Sequence, residues 1–394
     1  MESPFRRPRL AFHRRIGKNN PVSPSPSDAD LQLENELAPL RQRIDEIDRH
    51  LVLLMNERAN VAVDIGKTKK AVSGDAATFY VPSREKAVLD KIRKLNAGPL
   101  PDRSLDAIWR EIMSGSVRLQ VPLRIAYLGP AGSFSHAAAK GKFGSSASYL
   151  ASADIESVFA AVCSETADYG LVPVENSSHG SVVETLDAFR DHSPKIVGEV
   201  LISIHHQVMA TGTWEQVKVV TSKPEVFSQC RRWLEQAARD KEIRPAASSS
   251  AAVMEARSDP TVAAIGSRMA AEVYDVPIVF ENIEDHASNV TRFWMIAREA
   301  AAAGEPAKTT IQFTAGDEAG ALVEVLEAFR SAGINLTDIE KRPSGSAQWR
   351  YVFFIDAEGD EASESMQAAL SQARTHCASL EVLGSYPAAA EVLR

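Results

Sequence analysis

The sequence has little cysteine. Its 394 residues include three cysteines, Cys163, Cys230 and Cys377, which are odd in number and far apart. This usage fits neither a disulfide framework nor a cysteine-based metal site. It predicts a protein of a reducing compartment and therefore a cytoplasmic location.

The sequence also lacks long apolar runs and an excess of positive charge. No apolar stretch approaches the roughly 20 residues that span a bilayer, so we expect no membrane partner. The formal net charge of −8 argues against a nucleic-acid partner, because contacts with phosphates need a basic surface. The composition is that of an ordinary soluble protein, and the length predicts roughly two to four domains.

Residues 1–32 differ in composition from the rest of the chain. The first 20 residues carry five arginines and one lysine against the single acid Glu2, and a run of prolines and serines follows. The apolar core of a secretory signal is missing. We expect a disordered basic tail. An organelle transit peptide, which should be richer in serine, stays open as the alternative.

Residues 33–121 begin with apolar residues at alternating steps of four and three. The pattern predicts a helix of about 30 residues with one apolar seam, and such a seam needs a helical partner. We therefore expect a homodimer or a higher homo-oligomer. The seam residues are Leu40, Ile44, Ile47, Leu51, Leu54, Val61 and Ile65.

Arg58 occupies a position of this seam. A buried arginine needs an anionic partner, either an acidic side chain or a bound anion. On a helical wheel Lys69 points within about 20° of Arg58, so the two can share a pocket, whereas Arg41 points about 100° away. Two further helices are predicted, one opening near Pro82 and one ending near Gln120. Several cations on three helices suggest a small dianionic ligand.

The same segment resembles the all-α, three-helix chorismate mutase domain, an intertwined dimer. The matching positions are Arg41, Asp45, Asp48, Glu57, Arg58, Gly66, Lys69, Arg84, Glu85, Ser116 and Gln120. The resemblance implies that Arg58 binds one carboxylate of chorismate and that Arg41 reaches the other from the partner subunit. It implies that Lys69 and Gln120 bind the ether oxygen, that Glu85 binds the ring hydroxyl, and that Arg84 and Ser116 line the pocket. One acidic contact of the family has no counterpart, since Val81 stands there.

Residues 123–298 alternate strand and helix patterns, which predicts an α/β unit with mostly parallel sheets. The long extended run from residue 197 to residue 208 suggests a crossing between two lobes, with a ligand cleft at the strand ends. Three polar stretches stand beside strands, at residues 129–135, 175–180 and 288–296. Each has an ordinary explanation as a tight turn, a helix cap or a strand edge.

Together these stretches resemble prephenate dehydratase, which implies a two-lobed, periplasmic-binding-protein-like α/β fold. The resemblance implies that Thr291 protonates the departing ring hydroxyl of prephenate. It makes Ser133, Asn176 and Ser177 hydrogen-bond donors to the substrate. Phe293 belongs to the same motif. Arg292 binds either a substrate carboxylate or an acid that lines the cleft, such as Glu175 or Asp285.

Residues 308–394 follow the order βαββαβ, which predicts an α+β, ferredoxin-like sandwich. This unit resembles an ACT regulatory domain, with phenylalanine as the implied allosteric inhibitor. The implied effector-binding residues are Gly320, Ala321, Leu322, Asn335 and Glu340. Two departures, Ala319 for proline and Lys341 for serine, weaken the match.

The three resemblances imply a bifunctional enzyme that rearranges chorismate to prephenate and converts prephenate to phenylpyruvate. They imply neither a cofactor nor a metal. Two alternatives stay open. One is a non-catalytic amino-acid sensor, because a two-lobed cleft joined to an ACT domain also suits that role. The other is an enzyme that retains only one of the two activities.

Overall fold

The computed structural model describes residues 28–74, 78–178, 180–300, 308–344, 351–389 and 391–393. The chain divides into two compact units, Met1–Arg58 and Ala59–Arg394. The helices are α1 (Asp28–Ser73), α2 (Pro82–Leu95), α3 (Asp102–Arg118), α4 (Phe134–Phe143), α5 (Ile155–Cys163), α6 (Val183–Ala188), α7 (Pro224–Gln229), α8 (Arg231–Ala237), α9 (Ser249–Ser258), α10 (Arg268–Tyr274), α11 (Ala321–Ser331) and α12 (Glu364–Arg374).

The strands form three sheets. In chain order they are β1 (Arg124–Leu128), β2 (Ser148–Ser152), β3 (Tyr169–Asn176), β4 (Gly180–Ser181), β5 (Lys195–Ser203), β6 (Gln207–Met209), β7 (Val219–Ser222), β8 (Glu242–Pro245), β9 (Val262–Gly266), β10 (Ile278–Phe280), β11 (Val290–Ala297), β12 (Lys308–Ala315), β13 (Leu336–Pro343), β14 (Tyr351–Glu358), β15 (Cys377–Tyr386) and β16 (Val392–Leu393).

Helix α1 is longer than predicted. It has 46 residues and begins at Asp28, inside the segment predicted to be a tail; residues 1–27 lie outside the described part. The predicted seam is exposed in the single chain, from Leu40 in the first unit to Ile65 in the second. The helical partner that would cover these exposed apolar side chains stays a prediction.

The second unit opens with the rest of α1 and with α2 and α3. Pro82 occupies the first turn of α2, where its missing N–H costs nothing. Arg93 of α2 makes a two-pronged ion pair with the buried Asp106 of α3. These helices confirm the predicted all-α segment.

Two lobes follow, each built on one sheet. The first lobe has the strand order β16-β5-β11-β3-β1-β2, with β4 beside β3, and the second has the order β10-β6-β9-β7-β8. The prediction of mostly parallel strands is wrong at the centre of the first sheet and toward one edge of the second. β11 runs antiparallel to β3 and β5, and β6 runs antiparallel to β9 and β10. The chain leaves the first lobe after β5 and returns as β11 at the same end of the sheet, where Val290 pairs with Ser203, so β11 runs back antiparallel to β5.

The last unit confirms the predicted βαββαβ order. Its antiparallel sheet has the order β13-β14-β12-β15, and α11 and α12 cover one face. After β15 the chain turns back to the first lobe, where β16 pairs with the edge of β5. None of the helices in the described ranges is both long and apolar enough to cross a membrane.

Candidate active sites

Thr291 and Asn176 lie side by side where the first lobe meets the second. They are register partners on the antiparallel strands β11 and β3. The Asn176 Nδ2 amide donates to Thr291 Oγ1 at 2.8 Å and stands 2.8 Å from Asn289 Oδ1. Thr291 is 9% exposed. The structure therefore brings together two residues that the sequence places 115 positions apart.

The network continues into the second lobe. Asn289 Nδ2 donates to Gln229 Oε1 at 3.4 Å, and His206 Nε2 lies 2.6 Å from the same oxygen. Burial lowers the pKa of His206, so its ring is neutral and donates through Nε2. Its Nδ1 is buried without a hydrogen-bond partner. Sequence reasoning missed Gln229 and His206, because no motif marks them.

The turn before α4 is held by the second lobe. Gly132 has φ of 80°, and a Cβ there would meet Ala270 Cα at 2.9 Å, so only glycine fits. Ser267 Oγ donates to the Gly132 carbonyl at 2.6 Å. Ser133 caps α4: its Oγ accepts from His136 N and donates to the Leu128 carbonyl. These contacts favour the capping explanation of Ser133 over a contact with substrate.

Two other predicted substrate ligands have structural contacts. Ser177 Oγ donates to the Ser288 carbonyl at 3.3 Å and accepts from Val290 N at 3.0 Å, so it fastens the loop after β3 to the start of β11. Phe293 is 1% exposed and belongs to the core under α4. This burial argues against a contact between Phe293 and the substrate.

Arg292 points away from the cleft. Its guanidinium lies 2.5 Å from Asp356 and 3.0 Å from Asp338 of the last domain, and 3.6 Å from Glu175. Burial lowers the pKa of Arg292, but the carboxylate of Asp356 outweighs burial and the net pKa is raised. The expected contact with Glu175 is present as an ion pair, but its 3.6 Å distance is longer than a hydrogen bond. Asp285 instead accepts from the Arg232 backbone. The four surrounding acids, which include Glu199, argue against the predicted contact with a substrate carboxylate.

The mutase-like residues of the second unit gather where α1 meets the chain before α2. Lys69 Nζ donates to the Thr78 carbonyl at 2.7 Å, and its pKa is lowered by burial and by Arg84. Gln120 packs against Gly66, where an added Cβ would meet its side chain at 2.8 Å. Ser116 Oγ donates to the Ile112 carbonyl at 2.7 Å.

Glu85 has partners that the sequence did not predict. Its carboxylate is 8% exposed and accepts from Tyr80 Oη and, at 2.7 Å, from Lys142 Nζ. Lys142 belongs to α4 of the first lobe. Burial, followed by the charge of Glu85, raises the pKa of Tyr80. Both donors engage Oε2 of Glu85, so the role of Glu85 as the ligand of a ring hydroxyl stays a prediction.

Two mutase-like arginines lie in the first unit. Arg41 is exposed and pairs with Glu34, which lies two helical turns earlier on α1. Arg58 is half-buried near the end of this unit.

The predicted effector residues lie at the start of α11 and along β13. Gly320 precedes α11 with φ of 95°, a conformation that favours glycine. Ala321 is buried and Leu322 is half-buried, while the carbonyl of Asn335 accepts from Glu358 N at 2.9 Å. Glu340 accepts a hydrogen bond from Ser181 of the first lobe. Among the described residues, His, Cys, Asp and Glu side chains form no group that could hold a metal ion.

Family models match three consecutive stretches of the chain. Chorismate mutase type II matches residues 40–121, prephenate dehydratase matches residues 125–301, and the ACT domain matches residues 309–375. These matches confirm the three resemblances inferred from the sequence.

Curated relatives match almost the whole chain. It is 40% identical to the bifunctional chorismate mutase/prephenate dehydratase of Aquifex aeolicus, over 90% of this chain and 98% of that protein. The enzyme of the same description from Pseudomonas aeruginosa is 39% identical, over 90% of this chain and 99% of its own. A crystal structure of prephenate dehydratase from Arthrobacter aurescens, in complex with L-Phe, has a TM-score of 0.63 and 30% identity, covering 67% of this chain and 90% of that one. The chain therefore belongs to the bifunctional chorismate mutase/prephenate dehydratase family and carries both enzymes and an ACT domain.

Proposed function

We propose that Thr291 is the proton donor of the dehydratase reaction. In that step the bond between the ring carbon and its hydroxyl breaks, and the hydroxyl leaves as water with the proton of Thr291. The ring carboxylate leaves as CO₂, and its bonding electrons enter the ring as it becomes aromatic. Aromatisation drives the step, so modest proton donation suffices.

One contact carries this assignment, the hydrogen bond from Asn176 Nδ2 to Thr291 Oγ1 at 2.8 Å. A donor aimed at this oxygen stabilises the negative charge that grows as the threonine gives up its proton. A proton from solvent then restores the Thr291 hydroxyl. Asn289 extends this polar wall on the side of Asn176, and Gln229 of the second lobe continues it. We assign them to substrate binding together with Asn176.

For the mutase reaction we propose that fixed cations hold chorismate in its reactive shape. The rearrangement needs no acid, base or metal; it needs orientation and stabilisation of charge on the ether oxygen. Lys69 and Gln120 hydrogen-bond that oxygen, Arg58 and Arg41 bind the two carboxylates, and Arg84 lines the pocket. Burial and Arg84 lower the pKa of Lys69, and a bound dianion reverses this effect and keeps the ammonium charged.

We further assign the exposed seam of α1 to a second copy of the chain, which also supplies Arg41. Phenylalanine is the proposed effector of the ACT domain. The dehydratase from Arthrobacter aurescens with bound L-Phe supports this assignment. Ala319 and Lys341 are the positions at which the affinity for phenylalanine can differ from that of the family. Free cysteines agree with a cytoplasmic location.

Incubation of the purified chain with chorismate tests the function. We expect prephenate to appear first and phenylpyruvate to follow. Accumulation of prephenate alone would refute the dehydratase activity. Unchanged chorismate, with added prephenate still converted, would refute the mutase activity. Binding of phenylalanine without turnover of either substrate would favour the amino-acid sensor.

A further inference from the structure

Strand β11 has two faces with different surroundings. Thr291, Phe293 and Met295 face the cleft side and the core under α4. Arg292 and Trp294 face the other side, where Trp294 packs with Phe354 and Tyr386 of the ACT domain. Consecutive residues of a strand point to opposite faces, so Thr291 and Arg292 connect the two sides through one peptide unit.

The ACT side of this strand holds a buried network of charged side chains. Asp356, which binds Arg292, is 2% exposed and also accepts from Thr310 Oγ1 at 2.6 Å. Lys308 Nζ lies 3.0 Å from Glu199 and 3.7 Å from Asp356. Two cations and several carboxylates thus form one buried network across the domain boundary. Buried, hydrogen-bonded ion pairs of this kind fix geometry, because the loss of any member leaves a charge uncompensated.

Every second residue of strand β13, from Asp338 to Arg342, contacts the first lobe. Asp338 pairs with Arg292 at 3.0 Å, Glu340 accepts from Ser181, and Arg342 pairs with Asp187 at 2.7 Å. The residues between them point to the opposite, exposed side. Because Glu340 is also a proposed effector residue, the effector segment and the partner of Arg292 share one face of one strand.

We propose that Arg292 is a positioning residue through which the ACT domain sets the placement of Thr291. A shift of β13 moves Asp338, Asp338 moves the guanidinium, and the guanidinium moves the backbone that carries the catalytic hydroxyl. In this role Arg292 touches neither the Thr291 hydroxyl nor the departing hydroxyl of prephenate. This inference rests on the proposed role of Thr291 and adds the route by which the effector domain reaches it.

Asp338→Asn is the most direct test, because it removes the carboxylate charge at a half-buried position and leaves the catalytic strand intact. We expect kcat of the dehydratase to fall about tenfold while KM for prephenate stays within about twofold, because a misplaced catalytic group lowers turnover rather than binding. We also expect the phenylalanine dose response to flatten. Mutase turnover reports on folding and should not change.

The control is Asp187→Asn, which breaks the neighbouring ion pair on β13 without touching β11. It should leave the dehydratase kcat and the phenylalanine response unchanged. Equal effects of the two substitutions would overturn the proposal, since the ion pairs would then only hold the two domains together. An Arg292→Lys variant with raised KM, together with an inert Asp338→Asn, would also overturn it and assign Arg292 to the substrate.

The two hypotheses fail separately. If Thr291→Val retains dehydratase activity, the assigned proton donor is wrong and the inference falls with it. If Thr291→Val is inactive but Asp338→Asn keeps both the normal kcat and the normal phenylalanine response, only the positioning role is refuted.

Discussion

Thr291 and Arg292 are consecutive residues with opposite environments, one in a polar cleft and one in a buried ion network. The motif that contains them pointed to a site, and the proximity of Thr291 to Asn176 follows from pairing of the two strands. The partners of Arg292 could not be predicted, since Asp338 and Asp356 lie 46 and 64 positions away in another domain. Gln229 was beyond prediction for the same reason: it reaches the cleft only when two lobes meet.

Replacement of Thr291 by valine removes the proposed donor and keeps the shape of the side chain. We expect dehydratase turnover to fall by about 10² to 10⁴, the usual contribution of a general acid, with mutase turnover unchanged. Thr221→Val is the matched control. Thr221 Oγ1 is buried without a hydrogen-bond partner, so this change should raise the free energy of unfolding by about 1 kcal/mol and spare both activities. Loss of activity in both variants would contradict the assignment.

The buried ring of His206 predicts a dependence of stability on pH. Burial lowers its pKa from the ordinary value of 6.5, so the unfolded chain binds a proton more readily than the folded chain. The folded state therefore loses stability as the pH falls below that value. Urea unfolding at about pH 7.5 and about pH 5.5 should show a larger loss for the native chain than for His206→Gln. Equal losses would contradict it.

At the scale of elements, the helix and strand patterns could be predicted from the sequence, but the directions of the strands could not. The seam of α1 follows from side-chain period alone, and so does the βαββαβ order of the last unit. The antiparallel course of β11 depends on where the chain comes from, which periodicity does not record. The alternation of half-buried and exposed residues along β13 could not be predicted from the sequence, because charged residues stand on both of its faces.

The seam of α1 gives a prediction at this scale. A double substitution Leu51→Glu/Leu54→Glu places two charges on the exposed apolar stripe and should prevent association of two copies. Light scattering should show the mass of a single chain, and mutase turnover should disappear because Arg41 of the second copy is lost. Gln42→Glu, an exposed position of the same helix away from the seam, should change neither. A variant of unchanged mass would refute the role of the seam.

At the scale of the whole second unit, the domains are joined by charged contacts. Glu391, close to β16, pairs with Arg110 of α3 at 2.9 Å. Lys142 of the dehydratase lobe pairs with Glu85 of the mutase helices, and this pair is the more buried. The mutase helices and the first lobe are therefore coupled in stability, although their reactions are separate.

Removing one member of the Lys142–Glu85 pair tests this coupling. Lys142→Met leaves a buried carboxylate without its cation and should cost about 3 kcal/mol of unfolding free energy, measured by urea denaturation. The double variant Lys142→Met/Glu85→Gln should recover most of the loss, because neither charge then remains. Strictly additive effects would show that the two side chains do not interact.

The position of β11 between β3 and β5 has a consequence for how the chain folds. The first lobe is discontinuous in sequence: its central strand follows the entire second lobe. A chain cut between the lobes would lack the strand that bears Thr291, and its sheet would stay split. Closure of the first lobe must therefore wait for pairing between residues that are 87 or more positions apart in the chain, a long-range step that slows folding. The hydroxyl proposed to donate the proton takes its place only in that late step.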